Sequence, residues 1–364
     1  MLCAAMKLTV LSSRGPETQR CTYCPKLCRP ACPVSSVEGS ETVTPWGKMR
    51  AAGEILRDVV PLDADHASPL FACSGCRACF ELCDLGNPVA DTLVDARADA
   101  LLRGAAPAAV AEFVRTFERR EEKLGVAASA LPRMSGRVAF LPGCTSVVFE
   151  PGTVVAAARA VARLDAPAEI VADVCCGLPL LDAGDREGFL RRARHLSERL
   201  FGFARAVVSD PGCAHALRVT YPRLGFSLPA VRHFSEVAAA SLGVLETLRR
   251  PPAPVAYHDA CRLGRGLDIY DAPRAVLTRV LGAAPLELRD RRERGACSGA
   301  GGLLAKSRPA TALAMAGWVG AQMPESGATM IVTTCPSSRR QFSAAGIPTL
   351  DFTEVVSGAL GGRS

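Results

Sequence analysis

A chain of 364 residues exceeds what one ordinary hydrophobic core serves, so two or three domains are expected. The composition is that of a soluble globular protein, 49% hydrophobic and 22% charged. Aromatic residues make up 5%, no long Lys/Arg run occurs and the formal charge is a mild +7, which together weigh against a nucleic-acid-binding surface.

The opening "MLCAAMKLTVLSSRG" has no basic region leading into an apolar core, so no secretory leader is expected. No stretch is long and apolar enough for a membrane span; the Ala/Val run at 153–162 carries Arg159. Sixteen cysteines without a secretion signal point to reduced thiols, metal ligation and a cytoplasmic setting.

Four of those cysteines crowd into "CTYCPKLCRPACPVS": Cys21, Cys24, Cys28 and Cys32, with Pro33 next. A second group, "CSGCRACFELC", holds Cys73, Cys76, Cys79 and Cys83 at the bacterial ferredoxin spacing. Three closely spaced cysteines on a tight loop hold three corners of a cubane. The fourth begins the next segment, and in two-cluster ferredoxins it serves the other cluster. The spacing therefore predicts one cross-wired pair of [4Fe-4S] clusters. Cys21, Cys24, Cys28 and Cys83 would hold the first; Cys73, Cys76, Cys79 and Cys32 would hold the second. Two such clusters at about −2 each would bring the net charge to about +3. Zinc knuckles also use C-x2-C, but each pair supplies two ligands and not four. Disulfides do not suit the compartment.

The first group departs from the usual spacing by one extra residue between Cys24 and Cys28, and Lys26 and Arg29 beside it would raise that cluster's potential. Asp84 stands where proline usually follows the second group. Between the groups, "GKMRAAGEILRDVV" has helical spacing. "NPVADTLVDARADALLRG" predicts a further helix, with Asn87 as N-cap and Pro88 at the first helical position. The expected order is a helical two-cluster ferredoxin-type domain over 14–105, then a helical linker over 106–136. In that linker "ERREEK" reads as a solvated helix face.

Downstream the chain repeats itself. "RVAFLPGC" (137–144) matches "PVAYHDAC" (254–261), and "CCGLPL" from Cys175 matches "CSGAGG" from Cys297. Thirty-eight positions separate Cys175 from Cys213 and likewise Cys297 from Cys335, while "HFSEV" (233–237) matches "DFTEV" (351–355). Strands such as 206–209 and 330–333 alternate with helices, which predicts two homologous α/β lobes, 137–248 and 249–360, with mostly parallel strands. Their cysteines fall just after strand ends, where such sheets place their sites.

The doubled cysteine–glycine pattern resembles the CCG domain of heterodisulfide reductases. The whole order over residues 20 to 360 resembles the glycolate oxidase iron–sulfur subunit, the lactate-utilisation iron–sulfur protein and the cluster-bearing subunit of anaerobic glycerol-3-phosphate dehydrogenase. The resemblance implies a metal site in the lobes. Cys144, Cys175, Cys176 and Cys213 match the family pattern in the first lobe, and Cys261, Cys297 and Cys335 match it in the second. Ser298 replaces one cysteine of the second pair, and Ala216 and Ser338 stand where the C-x2-C ends in heterodisulfide reductases. Arg262 replaces a histidine common after the HDxC cysteine, while His258 and Asp259 remain. The five-cysteine non-cubane ligation of those enzymes is therefore not reproduced. Three readings stay open: one centre shared by the lobes (a third iron–sulfur cluster or another metal), one centre in the first lobe, or none.

Cys3 reads as a spare thiol, and His66, His195 and His215 as surface or core residues. "CSGAGGLL" lacks dinucleotide-binding spacing. No catalytic residue is defensible, so the chain reads as an oxidoreductase subunit whose substrate chemistry lies on a partner. The resemblance implies that it passes electrons between a flavoprotein dehydrogenase of the small hydroxy-acid type and a further acceptor, with any membrane association made through a partner. The alternatives are a heterodisulfide reductase-like catalytic subunit or a non-enzymatic, cluster-bearing regulatory protein.

Overall fold

The computed structural model describes residues 8–22, 24–249 and 253–360; Cys3 lies outside them. The fold is mixed. A helical N-terminal region is followed by two four-stranded sheets in which every pairing is parallel. Two compact units emerge from the contacts. One contains the chain up to Arg115 together with Pro179–Gly188 and Gly299–Met315; the other contains both sheets.

In the first unit, the helix Pro45–Leu56 starts at Thr44, whose hydroxyl accepts from the Gly47 N–H. This satisfies one of the donors a helix start leaves open. A Cβ on Gly47 would lie 2.3 Å from the Glu41 carbonyl oxygen, so only glycine lets the turn Glu41–Val43 press against this helix. The predicted second helix runs Val89–Leu102. Its cap is not Asn87: Pro88 holds the N-cap position, and the Asn87 side chain turns inward.

Arg97 of that helix is 2% exposed, and its guanidinium ties the unit together. It donates to the carbonyls of Leu70 (2.8 Å), Cys73 (2.8 Å), Asp182 (2.9 Å) and Gly302 (3.4 Å). Thus the two segments that come from far along the chain, 179–188 and 299–315, each present a backbone acceptor to one buried cation. Gly302 has φ +64, and a Cβ there would lie 2.2 Å from the Cys73 carbonyl oxygen, so glycine is required by conformation and by space.

In the second unit, β1 (Val138–Leu141), β2 (Ala168–Ile170), β3 (Arg205–Val208) and β4 (Ala230–His233) lie in the order β2-β1-β3-β4. The strands β5 (Val255–His258), β6 (Leu286–Glu287), β7 (Met330–Thr333) and β8 (Thr349–Asp351) repeat it as β6-β5-β7-β8. The inner strands β1 and β5 are fully buried, as expected of parallel strands covered on both faces. The core on the second sheet packs Ala256 and Ile331 against Ala316, Val319 and Phe342 of its helices.

Candidate metal and cluster sites

All fifteen described cysteines are free of disulfides. Eight of them gather in the first unit around two cavities. One is lined by Cys21, Cys24, Cys28, Cys79 and Cys83 together with Asn87. The other is lined by Cys32, Cys73, Cys76 and Cys79 together with Lys48. Cys79 therefore borders both.

The fold brings each fourth cysteine to the opposite group. The Asn87 amide donates to Cys21 Sγ at 3.1 Å, and the Asn87 backbone N–H donates to Cys83 Sγ at 3.3 Å. One residue thus joins two thiols that lie 62 positions apart in sequence. On the other side, Lys48 Nζ sits 3.4 Å from Cys32 Sγ, and Cys32, Cys73 and Cys79 act on it electrostatically. Burial alone would lower the Lys48 pKa, but those three neighbours more than offset it and raise it. Among thiols, burial raises Cys21 and Cys28 to about 11, and Cys79 well above its ordinary value. Thiols that burial makes hard to ionise, as at Cys21, Cys28 and Cys79, suit metal ligation, where the metal supplies the positive charge that deprotonation lacks. The donor set fits two thiolate-held clusters.

The charges expected to act on the first group are otherwise engaged. Arg29 pairs with Glu41, and Lys26 stacks on Trp46 with Nζ 4.1 Å from the ring centre.

In the second unit, Cys144 begins the helix Cys144–Phe149 after β1, and Cys213 lies in the helix Pro211–His215 after β3. The thiols of Cys176 and Cys213 meet at 3.3 Å, and Cys144 and Cys175 are also hydrogen-bonded to each other. The four form a chain of touching sulfurs. The links run from Cys144 through Cys175 and Cys176 to Cys213. After the strands of the second sheet the chemistry changes. Ser298 Oγ and Ser338 Oγ hydrogen-bond to each other at 2.8 Å, beside buried Cys297 and partly buried Cys261 and Cys335.

Asp210 is a site residue that cysteine spacing does not reveal. Its carboxylate caps the helix Pro211–His215 by accepting from the Cys213 N–H at 3.0 Å. It acts electrostatically on Cys144 and Cys213 after the first sheet, and on Cys335 after the second. Burial and then Asp210 raise Cys335 to about 12. Burial raises Asp210 itself, with Arg262 pulling the other way. The available signal was "SDPGC", an Asx-Pro helix start. Of the histidines read as surface or core residues, His66 pairs with Asp63, His195 is exposed and His215 is buried in its helix.

These features define an iron–sulfur protein. Residues 17–87 match the 4Fe-4S dicluster domain, which takes in all eight N-terminal cysteines, and residues 255–343 match the cysteine-rich CCG domain. The chain thus joins a dicluster domain to a CCG domain, and iron–sulfur clusters are its cofactors.

Its homologues are a subunit of heterodisulfide reductase and related iron–sulfur oxidoreductases. It is 25% identical over 316 residues to a subunit of the dihydromethanophenazine:CoB–CoM heterodisulfide reductase of Methanosarcina barkeri, covering 79% of this chain and 77% of that one. It is 26% identical over 327 residues to a subunit of the fumarate reductase (CoM/CoB) of Methanothermobacter marburgensis, covering 85% of this chain but 64% of the relative. A shorter stretch of 106 residues, 28% of this chain and 14% of the relative, is 36% identical to the EtfAB:quinone oxidoreductase of Syntrophomonas wolfei. Among solved structures, a hypothetical protein from Helicobacter pylori shares the fold, with a TM-score of 0.57 at 8% identity over 98% of this chain and 76% of that one. No described helix is long and apolar enough to cross a membrane.

Proposed function

We propose that this chain carries electrons between a flavoprotein dehydrogenase of the small hydroxy-acid type and a further acceptor, in the cytoplasm. Two [4Fe-4S] clusters, held as the spacing predicts, and a metal centre in the lobes form the route. The coarser part, an iron–sulfur electron-transfer subunit akin to those of heterodisulfide and fumarate reductases, rests on the homology. Asn87 carries the ligand assignment. Its two hydrogen bonds join Cys21 to Cys83, which is the exchange of fourth cysteines that two-cluster modules use. Clusters of this kind pass single electrons, which suits the division of a flavin's two-electron chemistry.

The domain limits follow the same reading: ferredoxin-type over 14–105, linker over 106–136, and homologous lobes over 137–248 and 249–360. The shared strand order supports a duplication. The lobe centre would draw on Cys144, Cys175, Cys176 and Cys213, with Cys261, Cys297 and Cys335 contributing less. The Ser298–Ser338 bond occupies a place where thiols would be needed for more. It also weighs against a five-cysteine disulfide-reducing site.

Iron and acid-labile sulfide in anaerobically purified protein test this directly. Roughly eight irons with matching sulfide are expected from two cubanes, and more if the lobes are filled. Stoichiometric zinc without sulfide would refute it. For the partner, reduction of the clusters by a co-purified flavoprotein and its hydroxy-acid substrate is expected. Reduced viologen turning over a disulfide, with no flavoprotein present, would favour catalysis in the lobes instead.

A further inference from the structure

Lys48 occupies a position where the helix Pro45–Leu56 otherwise buries apolar side chains. Ala52 and Ile55, four and seven residues on, share its face and are 0% and 2% exposed; Lys48 itself is 1% exposed. A buried ammonium is costly unless a counter-charge meets it. Among the described residues no carboxylate pairs with Lys48; its bond runs to Cys32 Sγ, and Cys73 and Cys79 are the other groups acting on it. Arg97 adds a second buried cation on the same side through the Cys73 carbonyl. Among the described residues the first group has no buried cation beside it; the one cationic side chain bordering its cavity, Arg20, is solvent-exposed. The group's sulfurs accept from the neutral Asn87 amide and backbone, while Arg29 is spent on Glu41 and Lys26 on Trp46.

We propose that Lys48 is a positioning residue that makes the second cluster, on Cys73, Cys76, Cys79 and Cys32, the easier of the two to reduce. A single electron entering the module then rests on the second cluster. This deepens the two-cluster reading above and depends on it. Reduction adds one negative charge to a cluster already at about −2, and a cation against a ligand sulfur in a dry site stabilises that added charge. The cluster in turn is the counter-ion that lets the lysine be buried. This reverses the order expected from Lys26 and Arg29 in the sequence.

The test is a redox titration followed by EPR on anaerobic protein, with iron and sulfide measured on each sample. In Lys48→Met the higher midpoint should fall so that the electron's partition between the clusters changes at least tenfold, about 59 mV for one electron. Lys48→Arg, which keeps the charge, should stay near wild type, a pattern that a merely structural role would not give. Unchanged midpoints in Lys48→Met with full iron and sulfide would overturn the inference. If Lys48→Met does not retain its iron, Asn87→Asp serves instead, because it marks the first cluster. There the lower midpoint should drop further while the higher stays in place, and movement of the higher midpoint overturns the proposed order. Wild-type protein with far fewer than eight irons would refute the two-cluster reading itself, an outcome distinct from both.

Discussion

The two sheets of the second unit have the same strand order, yet the loops after them differ in chemistry. After β1, β2 and β3 four thiols touch in sequence, with Cys176 and Cys213 at 3.3 Å. After β6 the position matching Cys176 is Ser298, and its hydroxyl is satisfied by Ser338, after β7, at 2.8 Å. A hydroxyl pair that completes itself needs no metal, whereas buried thiols that only touch one another form weak bonds and remain available. The strand order is common to both sheets, and the touching thiols lie beside the first. A second contrast lies at the helix starts after β4 and β8. His233 Nδ1 accepts from the Ser235 N–H in the first, and Asp351 Oδ1 accepts from the Thr353 N–H in the second. The same capping task is given to groups of opposite acid–base character.

The largest expected effect comes from giving the loops of the first sheet the chemistry of those of the second. On the proposed lobe centre, Cys176→Ser should abolish the metal found beyond that of the two proposed cubanes, measured by elemental analysis, while Cys297→Ser should remove less than half of it. Equal losses in the two variants would make the lobes equal contributors.

Next in size is the response to pH. Burial holds His233 neutral, with its pKa lowered from 6.5 to about 3. The unfolded chain therefore takes up a proton below about pH 6.5 that the folded chain refuses, and stability falls as pH drops from there towards 3. Burial raises Asp351 from 3.8 to about 6, so the folded form holds its proton longer. Its contribution is present at low pH and is lost as pH rises through about 6. The His233 shift is worth on the order of 5 kcal/mol and the Asp351 shift on the order of 3 kcal/mol. Thermal melts across this range should show His233→Asn flattening the acid-side loss and Asp351→Asn raising stability above about pH 6. Parallel shifts in both variants would break the contrast.

The smallest effect is expected at the serine pair. Ser298→Ala leaves the Ser338 hydroxyl without that bond and should cost about 1 kcal/mol with no change in metal content. Loss of metal there would mean that the second lobe's hydroxyls do more than satisfy each other.

What could be read from the sequence was local. Cysteine spacing, the 38-residue interval in each lobe and the strands ending at Val208 and Thr333 are properties of short segments or of their repetition. What could not be read depends on which distant groups meet. Asn87 carried the signature of a helix cap, but Pro88 takes that position and the Asn87 amide N–H donates to a buried sulfur 66 positions away. Lys48 looked like an ordinary polar residue on a helix until packing placed Cys32 against it. Asp210 is legible as a cap, but its reach to Cys335 arises only once both sheets are assembled.

The Arg97 clasp sets a limit on how this molecule can be divided. A fragment that stops at residue 136 holds the eight cysteines of both groups, but it lacks Asp182 and Gly302, two of the four carbonyls that receive the buried guanidinium. It also lacks Arg308, which binds Glu38 at 2.9 Å. The cluster-bearing part is continuous in its ligands and discontinuous in its support, so its insertion into another protein would require transplanting three pieces of chain. Recombination between relatives would have to exchange those pieces together.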